Sequence, residues 1–119
     1  MDKMRGYKTV LKLLNEDLTA ERAAVRTYRE FAAVSFSAET REMFMEFARS
    51  EQGHANGLLK LITDIENGEN EVVFYCPVCG WEVNFGKRPE LGKEARCRMC
   101  GVIFVLAEVD GDYQLQKVV

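Results

Sequence analysis

The chain has 119 residues, 47% of them hydrophobic and 29% charged, with a formal net charge of -3. That is enough for one small folded domain or two very small ones, and it excludes a generally basic nucleic-acid binder. No apolar run is long enough to span a bilayer, and Met1–Gly6 lacks the apolar core of a signal peptide, so a cytoplasmic protein is expected.

The first predicted element is a helix from Tyr7 towards Phe36. Tyr7, Leu11, Leu14, Leu18, Glu21, Val25, Tyr28 and Ala32 trace one face by steps of three and four. Arg22, Arg26, Arg29 and Glu30 fall mostly on other faces, as a solvated surface requires. Glu21 stands in the middle of the apolar stripe. The pattern breaks at Ser35-Phe36-Ser37-Ala38, where Ser37 is a candidate N-cap and Glu39 suits the positive end of a second helix. That helix runs to about Glu66 and stops at Asn67-Gly68. A connection this short makes the two helices antiparallel neighbours.

The second helix contains Glu51-Gln52-Gly53-His54. Residues three apart share a helix face, and Phe44, Phe47, Leu58 and Ile62 follow the same period, so Glu51 and His54 are expected to point inward. A carboxylate and an imidazole on an apolar face are costly unless something pairs with them. Gly53 and Gly57 fit either simple tolerance or the close approach of another helix. Glu16, Asp17, Glu46 and Asp64 read as solvated faces or as an access path for cations.

Glu69-Asn70-Glu71 reads as a linker, dividing residues 1–68, a helical hairpin, from residues 69–119. Val72–Tyr75 is β-prone, a turn-rich stretch holds Gly86, Pro89 and Gly92, and Val102–Val109 with Tyr113–Val118 forms a hairpin about Asp110-Gly111. All four cysteines lie in this part. Cys76, Cys79, Cys97 and Cys100 make a C-x2-C-x17-C-x2-C pattern, whose two knuckles point four thiolates at one place. Such a set suits zinc or a single iron, and a β fold this small needs a staple of that kind. The fold class is therefore α plus small β.

In the helical part, Glu21, Glu51 and His54 supply two carboxylates and one imidazole, half the ligand set of a carboxylate-bridged di-iron centre. A two-fold homodimer, alone or within a higher even-numbered homo-oligomer, duplicates every ligand. Two hairpins then make one four-helix bundle with two Fe ions per dimer.

Glu21-(x6)-Tyr28, Ala23-Ala24, Phe31-Ala32-Ala33, Phe44, Phe47-Ala48 and Glu51-x-x-His54 resemble the ferritin-like helix pair of the rubrerythrins. Phe74-Tyr75-Cys76-Pro77-Val78-Cys79-Gly80-Trp81 resembles the first knuckle of a rubredoxin-like domain. Arg98 stands where rubredoxins usually carry proline, and the hairpin after it is similar to that of zinc ribbons, so the resemblance favours zinc over iron at the cysteines. With one helix pair per chain, the protein is also similar to encapsulated ferritins, which build the site between subunits. The resemblance implies that Glu21 and Glu51 are bridging or chelating carboxylates, that His54 is a nitrogen ligand and that Tyr28 lies close to the metals. It implies a non-haem di-iron oxidoreductase reducing hydrogen peroxide or dioxygen in oxidative-stress defence, with electrons from the four-cysteine site or an external donor. Two alternatives stand beside it. One is a ferroxidase for iron storage or detoxification. The other is a non-catalytic zinc-ribbon protein whose basic patch, Lys87, Arg88, Lys93, Arg96 and Arg98, contacts nucleic acid.

Overall fold

The computed structural model describes residues 6–118; residues 1–5, which carry most of the segment read above for a signal peptide, lie outside it, as does Val119. Two helices, α1 (Lys8–Ala33) and α2 (Ala38–Glu66), precede five strands: β1 (Glu71–Tyr75), β2 (Glu82–Lys87), β3 (Glu94–Arg96), β4 (Ile103–Val109) and β5 (Asp112–Lys117). The chain forms two compact units. One is Lys12–Thr63; the other gathers the residues up to Leu11 with those from Asp64 onward.

The first unit is an antiparallel helical hairpin. Its turn is fixed by side chains that satisfy backbone groups the helices leave unpaired. Ser37 Oγ accepts from Thr40 N at 3.0 Å, capping α2. Arg41 reaches back across the turn to the carbonyls of Ala32 and Ser35 at 3.4 and 3.3 Å. Buried positions recur every seven residues, at Leu11, Leu18, Val25 and Ala32 along α1 and at Ala48, Ala55 and Ile62 along α2, where Ile65 is buried as well near the helix end. A seven-residue repeat is the mark of a narrow coiled-coil seam, and alanines at 48 and 55 let the backbones approach. A second heptad series lies beside it and is half-buried: Leu14, Glu21 and Tyr28 on α1; Phe44, Glu51 and Leu58 on α2. The sequence reading put Glu51 and His54 inward. The seam is set instead by Ala48, Ala55 and Ile62, which leaves Glu51 on its rim and His54 exposed.

The second unit holds two antiparallel sheets, β1-β2 and β3-β4-β5. Val83 and Phe85 on β2 and Phe104 and Leu106 on β4 alternate inward with the strand period, and join Val72, Cys76 and Cys97 in one core. The β4–β5 turn has φ 53° at Asp110 and 87° at Gly111, the doubly left-handed geometry for which Asp-Gly is selected. β2 and β3 arise in the stretch read as turns. There Val83-x-Phe85 does carry the alternation, but Gly86 and Pro89 interrupt it too soon for a strand signal. The stretch Glu69–Glu71 is tied down by side chains and backbone: Glu69 N donates to Asp64 O at 2.8 Å, Glu69 takes Arg88 at 3.3 Å, and Asn70 donates to the Tyr7 hydroxyl at 2.9 Å.

α1 has no acidic residue in its first turn, and β5 supplies one. Asp112 accepts from Thr9 Oγ1 at 2.6 Å and from Thr9 N at 2.7 Å. The Thr9 hydroxyl and amide hold its carboxyl below the ordinary value. A depressed carboxyl adds stability above its unfolded-state pKa, and that stability is lost as pH falls towards the folded value. Wild-type protein is therefore expected to lose more stability than Asp112→Asn as pH falls below about 4, read from urea unfolding curves across that range.

Candidate metal sites

The two cysteine knuckles are near-copies. In each, the first cysteine is buried and the second exposed. Gly80 N donates to Cys76 O at 2.8 Å and Gly101 N to Cys97 O at 2.9 Å. Both glycines have φ near 80°, a conformation L side chains rarely adopt, so each knuckle closes on a glycine. Each is locked to its strand by the first cysteine's amide: Cys76 N to Trp81 O at 2.6 Å, Cys97 N to Val102 O at 2.9 Å.

The four sulfurs meet at one point. Cys79 Sγ lies 3.4 Å from Cys97 Sγ, and Cys76 Sγ 3.7 Å from Cys100 Sγ. A tetrahedron of thiolates at the usual zinc–sulfur length has edges of about 3.8 Å, so the cluster is already shaped for the ion. The backbone amides of Cys100 and Met99 bring Cys97 down to about 6. Cys79 is pushed up to about 12: the Trp81 amide favours its thiolate, but burial and the neighbouring sulfurs oppose it. Four thiolates this close need a cation to share.

The second cluster joins the two helices. The Glu21, Glu51 and His54 ligand atoms lie within 4.8 Å of one another. His54 Nδ1 is 3.8 Å from Glu21 Oε2 and 3.8 Å from Glu51 Oε2. That is too long for a hydrogen bond, yet it suits two donors about 2.1 Å from a shared ion. Glu21 Oε2 is buried and has no hydrogen-bond partner. A polar atom in that state is expensive, and a bound cation removes the cost. The side chains of Glu21 and Glu51 are 19% and 26% exposed, that of His54 61%, so the cluster is open on one side. Tyr28, one heptad beyond Glu21, has its ring 5.4 Å from Phe47 and 6.3 Å from Phe44. With Phe31 against Phe44 at 5.3 Å, these rings form an aromatic wall towards the hairpin turn.

Every residue singled out for metal in the sequence therefore falls in one of two clusters. Glu16, Asp17, Glu46 and Asp64 join neither, among the described residues. Of the basic patch, Arg88 and Lys87 face Glu69 at 3.3 and 4.0 Å, and Lys93 donates to Phe85 O at 2.9 Å. A Cβ on Gly53 or Gly57 would meet open space, so among the described residues no segment of this chain approaches either glycine.

The rubrerythrin family model matches residues 12–81, from the hairpin through the first knuckle. The chain belongs to the rubrerythrin family. Rubrerythrins are iron-binding, ferritin-like proteins of the di-iron oxidoreductase type. No curated protein and no solved structure matches the chain. No helix among the described residues is long and apolar enough to cross a membrane.

The stranded Glu21 oxygen gives a test that separates stability from metal binding. Glu21→Leu restores the apolar heptad, so the metal-free variant is expected to be more stable than wild type by about 1 kcal/mol or more, while ferrous iron binding at the helical site is lost. Thermal unfolding of metal-free protein and iron titration read the two effects. Cys79→Ser is expected to abolish tight zinc binding and leave iron binding at the helical site intact, measured by elemental analysis.

Proposed function

We propose that this rubrerythrin is a non-haem di-iron oxidoreductase that reduces hydrogen peroxide, with its iron site completed by a second copy of the chain. The observation that carries this is the Glu21, Glu51 and His54 cluster, with its buried, unpartnered Glu21 oxygen. One chain offers two carboxylates and one imidazole, too few to hold two iron ions. A two-fold repeat gives four carboxylates and two imidazoles, the full set for a carboxylate-bridged pair.

The hairpin is two-faced in the way this requires. The half-exposed series beside the ligands is apolar: Leu14 and Tyr28 on α1, Phe44 and Leu58 on α2, with Phe31, Phe47 and Leu61 exposed outside it. The opposite flank of α1 carries Arg22, Arg26 and Arg29, all exposed. Packing the apolar face on its own copy buries the aromatic wall and surrounds the ligands, while the arginine flank stays in water. A homodimer is the smallest assembly that does this.

In the dimer, Glu21 and Glu51 balance the positive charge of the iron pair, and His54 contributes the neutral donor. Tyr28 and the phenylalanines exclude bulk water from one end, which strengthens the electrostatics inside and limits side reactions. Held by Glu21, Glu51 and His54 of both copies, an iron pair would supply the two electrons that the reduction of hydrogen peroxide to water takes. The four-thiolate site takes zinc on this reading, so re-reduction comes from an external donor; iron there would make the site itself an electron carrier. A reducing, cytoplasmic setting keeps the thiolates available for either metal.

Protein loaded with ferrous iron is expected to sediment as a dimer carrying two helical-site irons, and to consume peroxide without net mineral. Progressive growth of ferric mineral under aerobic iron feeding would replace the peroxidase reading by the ferroxidase one. A monomer in solution that still binds two irons would overturn the shared site.

A further inference from the structure

The first turn of α1 and the last residues of α2 belong to the same compact unit as the strands, and the strands hold them. Four amides at the start of an α-helix have no partner within it, and for α1 two of these go to the β4–β5 turn: Lys8 N to Gly111 O at 3.2 Å and Thr9 N to Asp112 Oδ1 at 2.7 Å. Tyr113 N returns a bond to Gly6 O at 2.8 Å. The Tyr7 and Tyr113 rings meet edge to face at 5.3 Å, and burial raises the Tyr7 pKa despite the Asn70 bond. The end of α2 is held from the other side. Arg88, in a left-handed conformation at φ 48°, donates to Asn67 O at 2.7 Å and to Glu69 at 3.3 Å. Arg88 follows β2 and Asp112 begins β5. β2 leads out of the first knuckle, and β4, the partner of β5, leads out of the second.

The same few strands therefore bond to the cysteine knuckles at one end and to the helix ends at the other. Their apolar core is small, and two of its seven buried members are Cys76 and Cys97. Where the core is this small and includes the ligands, metal binding and folding are one equilibrium.

We propose that occupancy of the four-thiolate site controls the order of the hairpin's open end, so that the metal at the cysteines acts as a conformational clamp on the first turn of α1 and the last turn of α2. It rests on the metal reading of the cysteines and is independent of what the helical site does.

The test is amide hydrogen exchange on the full chain, iron-free, zinc-loaded against chelator-stripped, with zinc stoichiometry measured first. Stripping zinc is expected to speed exchange at Lys8, Thr9 and residues 67–70 by about tenfold or more, with residues 44–55 changed by less than about twofold. In zinc-loaded Asp112→Ala, Thr9 is expected to exchange as fast as in stripped wild type while zinc stays bound and residues 67–70 stay protected. Failure to bind zinc refutes the cysteine reading. Zinc binding with unchanged exchange at Lys8 and Thr9 overturns the clamp, as does equal acceleration through residues 44–55, which would make zinc a requirement of the whole fold.

Discussion

A single carboxylate oxygen, Glu21 Oε2, sets the terms for the helical half of this protein. It is buried, has no hydrogen-bond donor, and lies 3.8 Å from the imidazole of His54. A heptad that continued Leu14 and Tyr28 with another apolar residue would pack without that cost. The hairpin instead places two carboxylates and its sole histidine on one stripe. Stability alone does not account for such a placement, whereas a bound cation does, because it turns an orphaned acceptor into a ligand.

The two candidate metal sites face the same electrostatic problem and meet it by different means. At the cysteines, geometry is local: each pair of sulfurs is set by a five-residue turn closed on a glycine, and only the meeting of two turns is long-range. At Glu21, Glu51 and His54 nothing local shapes the site. Its geometry comes from the phase of two helices, fixed by a seam of leucine, valine and alanine on α1 and of alanine and isoleucine on α2 rather than by the ligands. The first site is rigid wherever its strands fold. The second is only as well defined as the packing of the hairpin.

Much of this was legible in the sequence because the signals are periodic or punctuated. Ser37 as a cap, Gly68 as a stop and Asp110-Gly111 as a turn each have one local physical reason, and the C-x2-C pairs specify their own knuckles. Glu21, Glu51 and His54 could be grouped because period and spacing place them on one side of a hairpin. The depth of that side was harder to read. Phe47 and Leu58 suggest an inward face, yet Ala48 and Ala55 allow the closest approach and take the seam. Small residues win burial by geometry, and hydropathy alone gives them little weight. The ties from Asp112 to Thr9 and from Arg88 to Asn67 join residues far apart in sequence, and neither partner carries a local sign of the other.

The seven-residue spacing has a consequence for how the hairpin tolerates changes in length. Glu21 and Glu51 hold their relation because the turn is separated from each by an intact run of the repeat. Losing a single residue between Tyr28 and the turn would rotate everything on one side of the break by about 100°, and with it the match between Ala32 and its opposite row. Removing one whole heptad from each arm at the tip would shorten the hairpin by about two turns and return the same rows to register. The ligand centre is thus indifferent to the reach of the hairpin but sensitive to its phase, and length can vary in this half only in blocks.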